Sequence, residues 1–246
     1  MTLLDCSSPE SAIASLAALL NRSEATIRRQ LEAGDLDAYG MFSGRDNREI
    51  VVEDFLGVSG GTPSAHEIHW FHATRVPPGT TFSEGLLPLA EVEPRLRATL
   101  DSLSTDLPSS RGDRNSALQY HNKLANPTIG GGPCAFLIRE AAVRPGGHHI
   151  AFAECPEIAK DIAGMRFDRA SAAELLRRFR AATKPCVVTF RTRDPCPSAT
   201  ESAALYAYLS IHDPPSAVAV GAGFSGRGRA VPPEDIVGYE FLDGAE

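Results

Sequence analysis

The sequence predicts an α+β fold, in which strands and helices occur in runs rather than in regular alternation. Short alternating or wholly apolar segments, typical of strands, recur through the chain. Amphipathic helical segments stand between them, and turns rich in Gly and Pro separate the two kinds of segment. This arrangement favours an α+β domain over a regularly wound parallel sheet.

Composition excludes several classes of protein. The chain has 246 residues, net charge −7, 43% hydrophobic and 22% charged residues, which is ordinary for a globular domain. Its apolar stretches are far shorter than the roughly 18–20 residues of a membrane span, and we predict no secretory signal. The acidic balance argues against a nucleic-acid coat protein. Because the five cysteines form no CxxC pair, we predict neither a metal site nor a disulfide framework, and we expect a cytoplasmic protein.

The first 57 residues are predicted to form a helical element. Apolar spacing in residues 9–33 predicts two short helices, with Ser23 as the N-cap of the second and Gly34 at its end. A helix-turn-helix that binds DNA is an alternative interpretation of this pair. Residues 49–55 are predicted to be a strand or a short buried segment. A turn-rich linker then leads to a second domain, residues 66–246.

The second domain contains most of the predicted strands. Strands are predicted at residues 66–74, 135–140, 148–153, 186–191, 216–224 and 236–242. Helices are predicted at residues 89–103, 116–125, 156–163 and 171–182, and residues 200–209 are either a helix or an irregular strand.

One strand contains a candidate binding pair. Side chains alternate along a strand, so His72 and Thr74 point to the same side, together with Trp70. An imidazole and a hydroxyl two residues apart can present two hydrogen-bonding groups to one polar ligand face, such as a ribose diol. The alternative is a histidine at a strand end whose hydrogen bonds are made by the backbone.

Four segments together resemble the ADP-ribosyltransferase superfamily. FHATR followed by FSEGLLPL is similar to the family's opening strand and turn, and GGHHIAFAECPEIAKDIA is similar to its second motif. KPCVVTFRT would be the next core strand. AVAVGAGFSGRGRAVPPEDIVGYEFL resembles the closing strand pair. The resemblance spans about residues 66–242, and it depends on the order and spacing of short motifs.

The resemblance implies a fold, an activity and site residues. The fold is two small packed sheets, the split β-sheet core of poly-ADP-ribose polymerases and diphtheria-toxin-like proteins, with NAD in the cleft between the sheets. The activity would be transfer of ADP-ribose from NAD to a protein or nucleic acid, or to water. His72 would hydrogen-bond the nicotinamide-side ribose with support from Thr74, and Arg75 would lie near the diphosphate. His149 takes the place of the family's stacking tyrosine, so His72 and His149 are the expected catalytic residues.

One family feature is missing from the sequence. Transferases of this superfamily commonly place a glutamate near the start of the penultimate strand, which here contains PPSAVAV and no carboxylate. Glu201 and Asp213 lie upstream and could reach the cleft from a loop, whereas Glu234 is expected to shape the turn before the last strand. A non-catalytic module of the same fold, recognising a protein or a nucleic acid, is therefore the alternative function.

Overall fold

A computed structural model describes residues 1–38, 44–108, 112–126, 128, 131–144 and 153–242. It contains both helices and a sheet, which confirms the α+β class. The helices described along their whole length are α1 (Pro9–Leu19), α2 (Glu24–Ala33), α3 (Asn47–Ile50), α4 (Leu89–Leu103), α5 (Arg114–Ala125), α6 (Arg139–Val143), α7 (Glu157–Arg166), α8 (Arg169–Ala182), α9 (Pro197–His212) and α10 (Pro214–Ala217). A π-helical turn, Val51–Phe55, follows α3, and a 3₁₀ turn, Pro233–Asp235, precedes the last strand.

The described strands form one sheet. They are β1 (Leu3–Leu4), β2 (Glu67–Val76), β3 (Cys134–Phe136), β4 (Lys184–Thr192), β5 (Gly223–Ser225) and β6 (Ile236–Phe241). Their order is β5-β3-β2-β4-β6, and β1 pairs in parallel with β2. The pairs β2–β3 and β4–β6 are antiparallel. The described residues therefore contain a single sheet, where the resemblance implied two packed sheets.

The chain divides into two compact units, each made of three segments. Unit 1 comprises Met1–Phe71, Phe136–Ala141 and Arg191–Gly223, and unit 2 comprises His72–Ala135, Ala142–Phe190 and Phe224–Glu246. This division does not coincide with the expected boundary between residues 57 and 66. In unit 1, α1 packs against both α2 and α9, so the N-terminal helices share a core with a segment far along the chain.

The N-terminal helices begin where the capping residues predict. Ser8 and Ser23 have extended backbones, and their side chains accept hydrogen bonds from the amides of Ser11 and Thr26. The apolar face of α2 buries Ile27 and Leu31 completely. Ser23 is thus confirmed as the N-cap of α2, and Gly34 is confirmed as its end.

Unit 2 has a helical core of its own. Helices α4, α5, α7 and α8 pack around a cluster of buried side chains. Its fully buried members are Leu100, Cys155, Ala159, Ile162, Ala163 and Leu175. Asp168 caps α8 by accepting hydrogen bonds from the amides of Ala170 and Ser171, which satisfies donors that the helix itself leaves unpaired.

Of the two alternatives for residues 49–55, the structure shows the short buried segment: the residues form the end of α3 and the π-helical turn, with Ile50, Val51 and Val52 buried. Two strand predictions need correction. Only the first part of residues 135–140 lies in a strand, since α6 begins at Arg139. Residues 216–224 are mostly not extended, because two prolines start α10 and only the end of the segment enters β5. The strand predicted at 148–153 lies largely outside the described residues.

Within the described ranges, the helices are all too short or too polar to cross a membrane.

Candidate functional site

A cavity of about 550 Å³ lies within unit 2. Strand β2 supplies one wall, and the turn after it, residues 80–87, supplies the next. Helix α4, the segment leading into β3, the start of α7 and the end of α8 complete the lining. The apolar lining side chains include Phe82, Leu86, Leu87, Leu89, Val92, Leu96, Ile158 and Phe179. Cavities of this size hold small organic ligands.

His72 lies in the β2 wall with a defined protonation state. Its Nδ1 lies 2.7 Å from the backbone oxygen of Cys134. A carbonyl oxygen only accepts, so Nδ1 donates and bears the proton. Burial lowers the pKa of His72 below its ordinary value, against a smaller opposing effect of this hydrogen bond. The imidazole is therefore neutral at pH 7, and its Nε2 retains a lone pair that can accept a hydrogen bond.

Thr74 also lines the cavity, two residues along the same strand. Ala73 between them is buried, as alternation requires. The Thr74 hydroxyl has no hydrogen-bond partner within the described part of the chain. The structure thus places the predicted pair in one cavity wall. Trp70, the third residue of this alternation, donates from Nε1 to the hydroxyl of Thr192 at 2.9 Å.

Arg75 differs from the expectation of a phosphate-binding residue. Its Nε donates to the hydroxyl of Thr183 at 3.1 Å, and Nη1 donates to the Ala153 oxygen at 3.1 Å. Nη2 donates to the oxygens of Arg180 and Thr183 at 2.8 and 2.7 Å. Four of its five N–H groups are therefore used inside the protein. The guanidinium binds carbonyls at the C-terminal end of α8, where a cation is favoured by the helix dipole.

His149, the other expected catalytic residue, lies outside the described residues, as does His148. The two carboxylates named as upstream candidates belong to unit 1. Glu201 accepts a hydrogen bond from the hydroxyl of Thr62 at 3.0 Å, and Asp213 immediately precedes α10. Neither is among the described residues that line the cavity. Glu234 lies in the 3₁₀ turn before β6, as expected.

Sequence reasoning missed four charged residues of the cavity wall. Glu84 accepts two hydrogen bonds from Arg95, at 2.6 and 3.2 Å, which lower the pKa of the Glu84 carboxyl. Lys123 lies 3.0 Å from Glu157 Oε2. Glu84 and Glu157 lie in segments that carry the family resemblance, the FSEGL turn and the Pro-Glu start of a helix. The resemblance could therefore have indicated that these two glutamates lie near the cavity. Nothing in the sequence distinguishes Arg95 or Lys123 from other surface cations.

Lys123 is a strongly held cation. It lies 2.6 Å from Asp161 Oδ2 in addition to its contact with Glu157. Burial by itself lowers the pKa of Lys123, but the hydrogen bonds to the two carboxylates outweigh it and raise this pKa above the ordinary value. The amine therefore stays charged and neutralises the carboxylates at the start of α7.

The arrangement can bind a polar ring between apolar walls. A neutral imidazole that accepts, and a threonine hydroxyl that can donate or accept, stand together among leucine, valine and phenylalanine side chains. No group of His, Cys, Asp and Glu side chains within the described ranges has the spacing to hold a metal ion. Comparison with protein-family models, curated proteins and solved structures finds no match to this chain.

Proposed function

We propose that unit 2 binds NAD in this cavity and transfers its ADP-ribose group to a macromolecular acceptor, a protein or a nucleic acid, or to water. The observation that supports this most is the pairing of His72 Nε2 and the Thr74 hydroxyl in one cavity wall. These groups match the needs of a ribose diol, which donates one hydrogen bond and accepts another. The resemblance over residues 66–242 supports the same ligand. All five cysteines are free thiols, as in a reducing cytoplasm, where we place the reaction.

In the proposed reaction, the acceptor's nucleophile forms a bond to C1′ of the nicotinamide ribose. The bond from C1′ to the ring nitrogen breaks, and the electron pair stays with nicotinamide, which leaves as a neutral molecule. The proton of the acceptor passes to solvent. His72 and Thr74 orient the ribose, and the apolar wall holds the nicotinamide ring. Positioning and charge stabilisation, rather than proton transfer from His72, account for the rate increase.

The test is incubation of the protein with NAD, following free nicotinamide and the melting temperature. We expect nicotinamide release in the wild type and its loss in His72→Ala and Thr74→Val. His121→Ala is the matched control, since His121 is an exposed histidine of α5 that does not line the cavity. Equal release by the wild type and His72→Ala would refute the assignment of the site.

The second candidate is a non-catalytic module that binds its ligand or partner without turnover. Two observations favour it. The segment expected to supply the transferase glutamate forms α10 and a turn in unit 1. The carboxylates that do line the cavity, Glu84 and Glu157, are each paired with a cation. An increase in melting temperature with NAD, without release of nicotinamide, would support this candidate over the transferase.

A further inference from the structure

The cations in the cavity wall already have anionic or carbonyl partners. Arg75 donates to the end of α8, Arg95 pairs with Glu84, and Lys123 pairs with Glu157 and Asp161. A ligand with phosphate groups needs cations that can turn towards it. Each of the three already uses donors in bonds within the protein, and Arg75 retains one N–H group outside its four bonds.

The loop between β5 and β6 carries two cations of a different kind. Arg227 and Arg229 are exposed, and neither guanidinium has a hydrogen bond or ion pair with any residue in the described ranges. The two arginines place positive charge on one loop of a chain whose net charge is −7. Planar guanidinium groups of this kind bind phosphate oxygens in pairs of hydrogen bonds.

Backbone hydrogen bonds hold this loop against two segments of the cavity wall. Gly226 N donates to the Pro133 oxygen at 2.8 Å, and Gly228 N donates to the Gly132 oxygen at 3.1 Å. Further along, Val231 N donates to the Leu86 oxygen at 2.8 Å, and the reciprocal bond is 2.9 Å. Gly132, Pro133 and Leu86 all line the cavity. The two arginines therefore lie on a segment fixed to the cavity rim at both ends.

Close packing keeps the loop in this position. A Cβ atom at Gly226 would lie 2.7 Å from Pro133 Cδ and 3.0 Å from the Gly132 oxygen. Such distances leave no room for a side chain. The backbone thus approaches the wall as closely as glycine permits, and the side chains of Arg227 and Arg229 start from a defined place beside it.

We propose that Arg227 and Arg229 form a phosphate-binding rim that holds the diphosphate of the ligand in the unit 2 cavity. They take the role that the family resemblance implied for Arg75, whose guanidinium donates to Thr183, Ala153 and Arg180. The identity of the ligand as NAD rests on the proposed function, whereas the phosphate site rests on the loop and its free cations.

The test begins with inorganic pyrophosphate, titrated calorimetrically at low ionic strength. We expect saturable binding by the wild type and its loss in Arg227→Gln/Arg229→Gln. Arg28→Gln/Arg29→Gln is the matched control, because it removes the same charge from two exposed arginines of α2 whose guanidinium groups pair with nothing in the part of the chain that the structure describes. We expect the control to bind like the wild type. The proposal would be overturned if the wild type did not bind pyrophosphate. It would also be overturned if Arg227→Gln/Arg229→Gln and Arg28→Gln/Arg29→Gln bound pyrophosphate equally.

A second arm compares NAD with nicotinamide riboside, which has the same ribose and no diphosphate. Arg227→Gln/Arg229→Gln is expected to weaken NAD binding by about tenfold or more and to leave the riboside affinity unchanged, since only the phosphate contacts are lost. Undiminished NAD binding by this variant would overturn the rim while leaving the proposed function standing. Pyrophosphate binding through the arginines, with no binding of NAD by the wild type, would sustain the rim and refute the proposed function.

Discussion

At the scale of single residues, His72 shows how one hydrogen bond selects a chemical state. The backbone oxygen of Cys134 holds the proton on Nδ1, and burial disfavours a second proton. Burial lowers the pKa of His72 by more than the hydrogen bond to Cys134 raises it, so a charged imidazolium would lose more hydration than that bond restores. The neutral ring is consequently an acceptor at Nε2, which is the property that a ligand hydroxyl requires.

The lowered pKa of His72 predicts a loss of stability in mild acid. The pKa of His72 is lower in the folded protein than in the unfolded chain, where it is about 6.5. Its contribution to the free energy of unfolding is therefore complete above pH 6.5, and it is lost as the pH falls through the pKa of the folded state. Unfolding by urea at about pH 7.5 and about pH 5.5 measures the effect. His72→Gln, whose amide can donate to Cys134, is expected to show a smaller loss between the two pH values. The same loss in both proteins would contradict the lowered pKa.

A glycine in the cavity wall makes a second prediction at this scale. Gly85 has φ of +76°, and a Cβ there would lie 2.0 Å from the Val231 oxygen. Gly79 has a similar φ of +85° but open space around it. Gly79→Ala should therefore cost about 1 kcal/mol, from backbone strain alone. Gly85→Ala should cost about 1–3 kcal/mol more, because the loop that bears Val231 must shift.

Thermal or urea unfolding of the two alanine variants separates these costs. If Gly85→Ala proved no less stable than Gly79→Ala, the close approach of the two backbones would be excluded. The larger cost should be accompanied by weaker pyrophosphate binding, since the displaced loop is the one that carries Arg227 and Arg229.

At the scale of elements, Arg75 joins the end of β2 to the end of α8. Helix C-termini leave carbonyl groups without partners, and Arg75 supplies donors to those of Arg180 and Thr183. Thr183 adds a bond of its own, from its hydroxyl to the Phe179 oxygen at 2.7 Å. Removal of the guanidinium would take from these part-buried carbonyls the donors that Arg75 supplies.

Arg75→Lys is predicted to lower the free energy of unfolding by about 2–3 kcal/mol, since an ammonium cannot reproduce the four directed bonds. Arg177→Lys is the control, because Arg177 is exposed on the same helix α8 and pairs only with Glu174 there. Its effect should stay within about 0.5 kcal/mol. Urea unfolding of the three proteins gives the comparison, and equal stability of both variants would argue against the role of Arg75.

Local sequence signals explain which elements were predicted well. Helix α4 was expected at its observed bounds, because its apolar spacing lies between the break at Pro88 and the turn at Ser104. The strand expected at 216–224 is mostly absent. The apolar residues Val218 and Val220 are buried, as they would be in a strand. The two prolines before them, however, favour the start of a helix. Hydrophobicity alone does not distinguish a short buried helix from a strand.

At the scale of the whole molecule, the five thiols differ in accessibility. Cys6, Cys155 and Cys186 are buried, Cys196 is partly buried, and Cys134 is exposed in the cavity wall. Burial raises the pKa of Cys186 to about 11 and also raises the pKa of Cys6 and Cys155. The three buried thiols therefore lack both access and thiolate character.

Labelling with a thiol reagent at about pH 8.5 should modify Cys134 and Cys196 in the folded protein, and the other three only after unfolding. Desolvation also raises the pKa of Cys134, so its reaction is slower than that of a fully solvated thiol. Cys134→Ser should remove one of the two phases seen in the folded protein. A ligand in the cavity should slow that phase and leave Cys196 unaffected. Fast modification of a third thiol in the folded protein would show that one of the buried cysteines is open to solvent.

The sequence alone determined the α+β class, most helices and the pair His72 and Thr74, because each depends on spacing along a few consecutive residues. Helix caps, strand alternation and the stop at Gly34 are local effects of this kind. The family resemblance implied that Arg75 lies near the ligand, but the charge of Arg75 alone did not indicate which partner it binds.

Tertiary structure decided the partners of those residues. The hydrogen bond from His72 to Cys134 spans 62 positions, and that from Arg75 Nη2 to Thr183 spans 108. Contacts between residues so far apart in sequence depend on how the folded chain brings distant segments together, and the pattern of a few consecutive residues does not encode this. The same reason applies to unit 1, where α9 joins the N-terminal helices, and to the loop of Arg227 and Arg229, which only the folded backbone brings to the rim of the cavity.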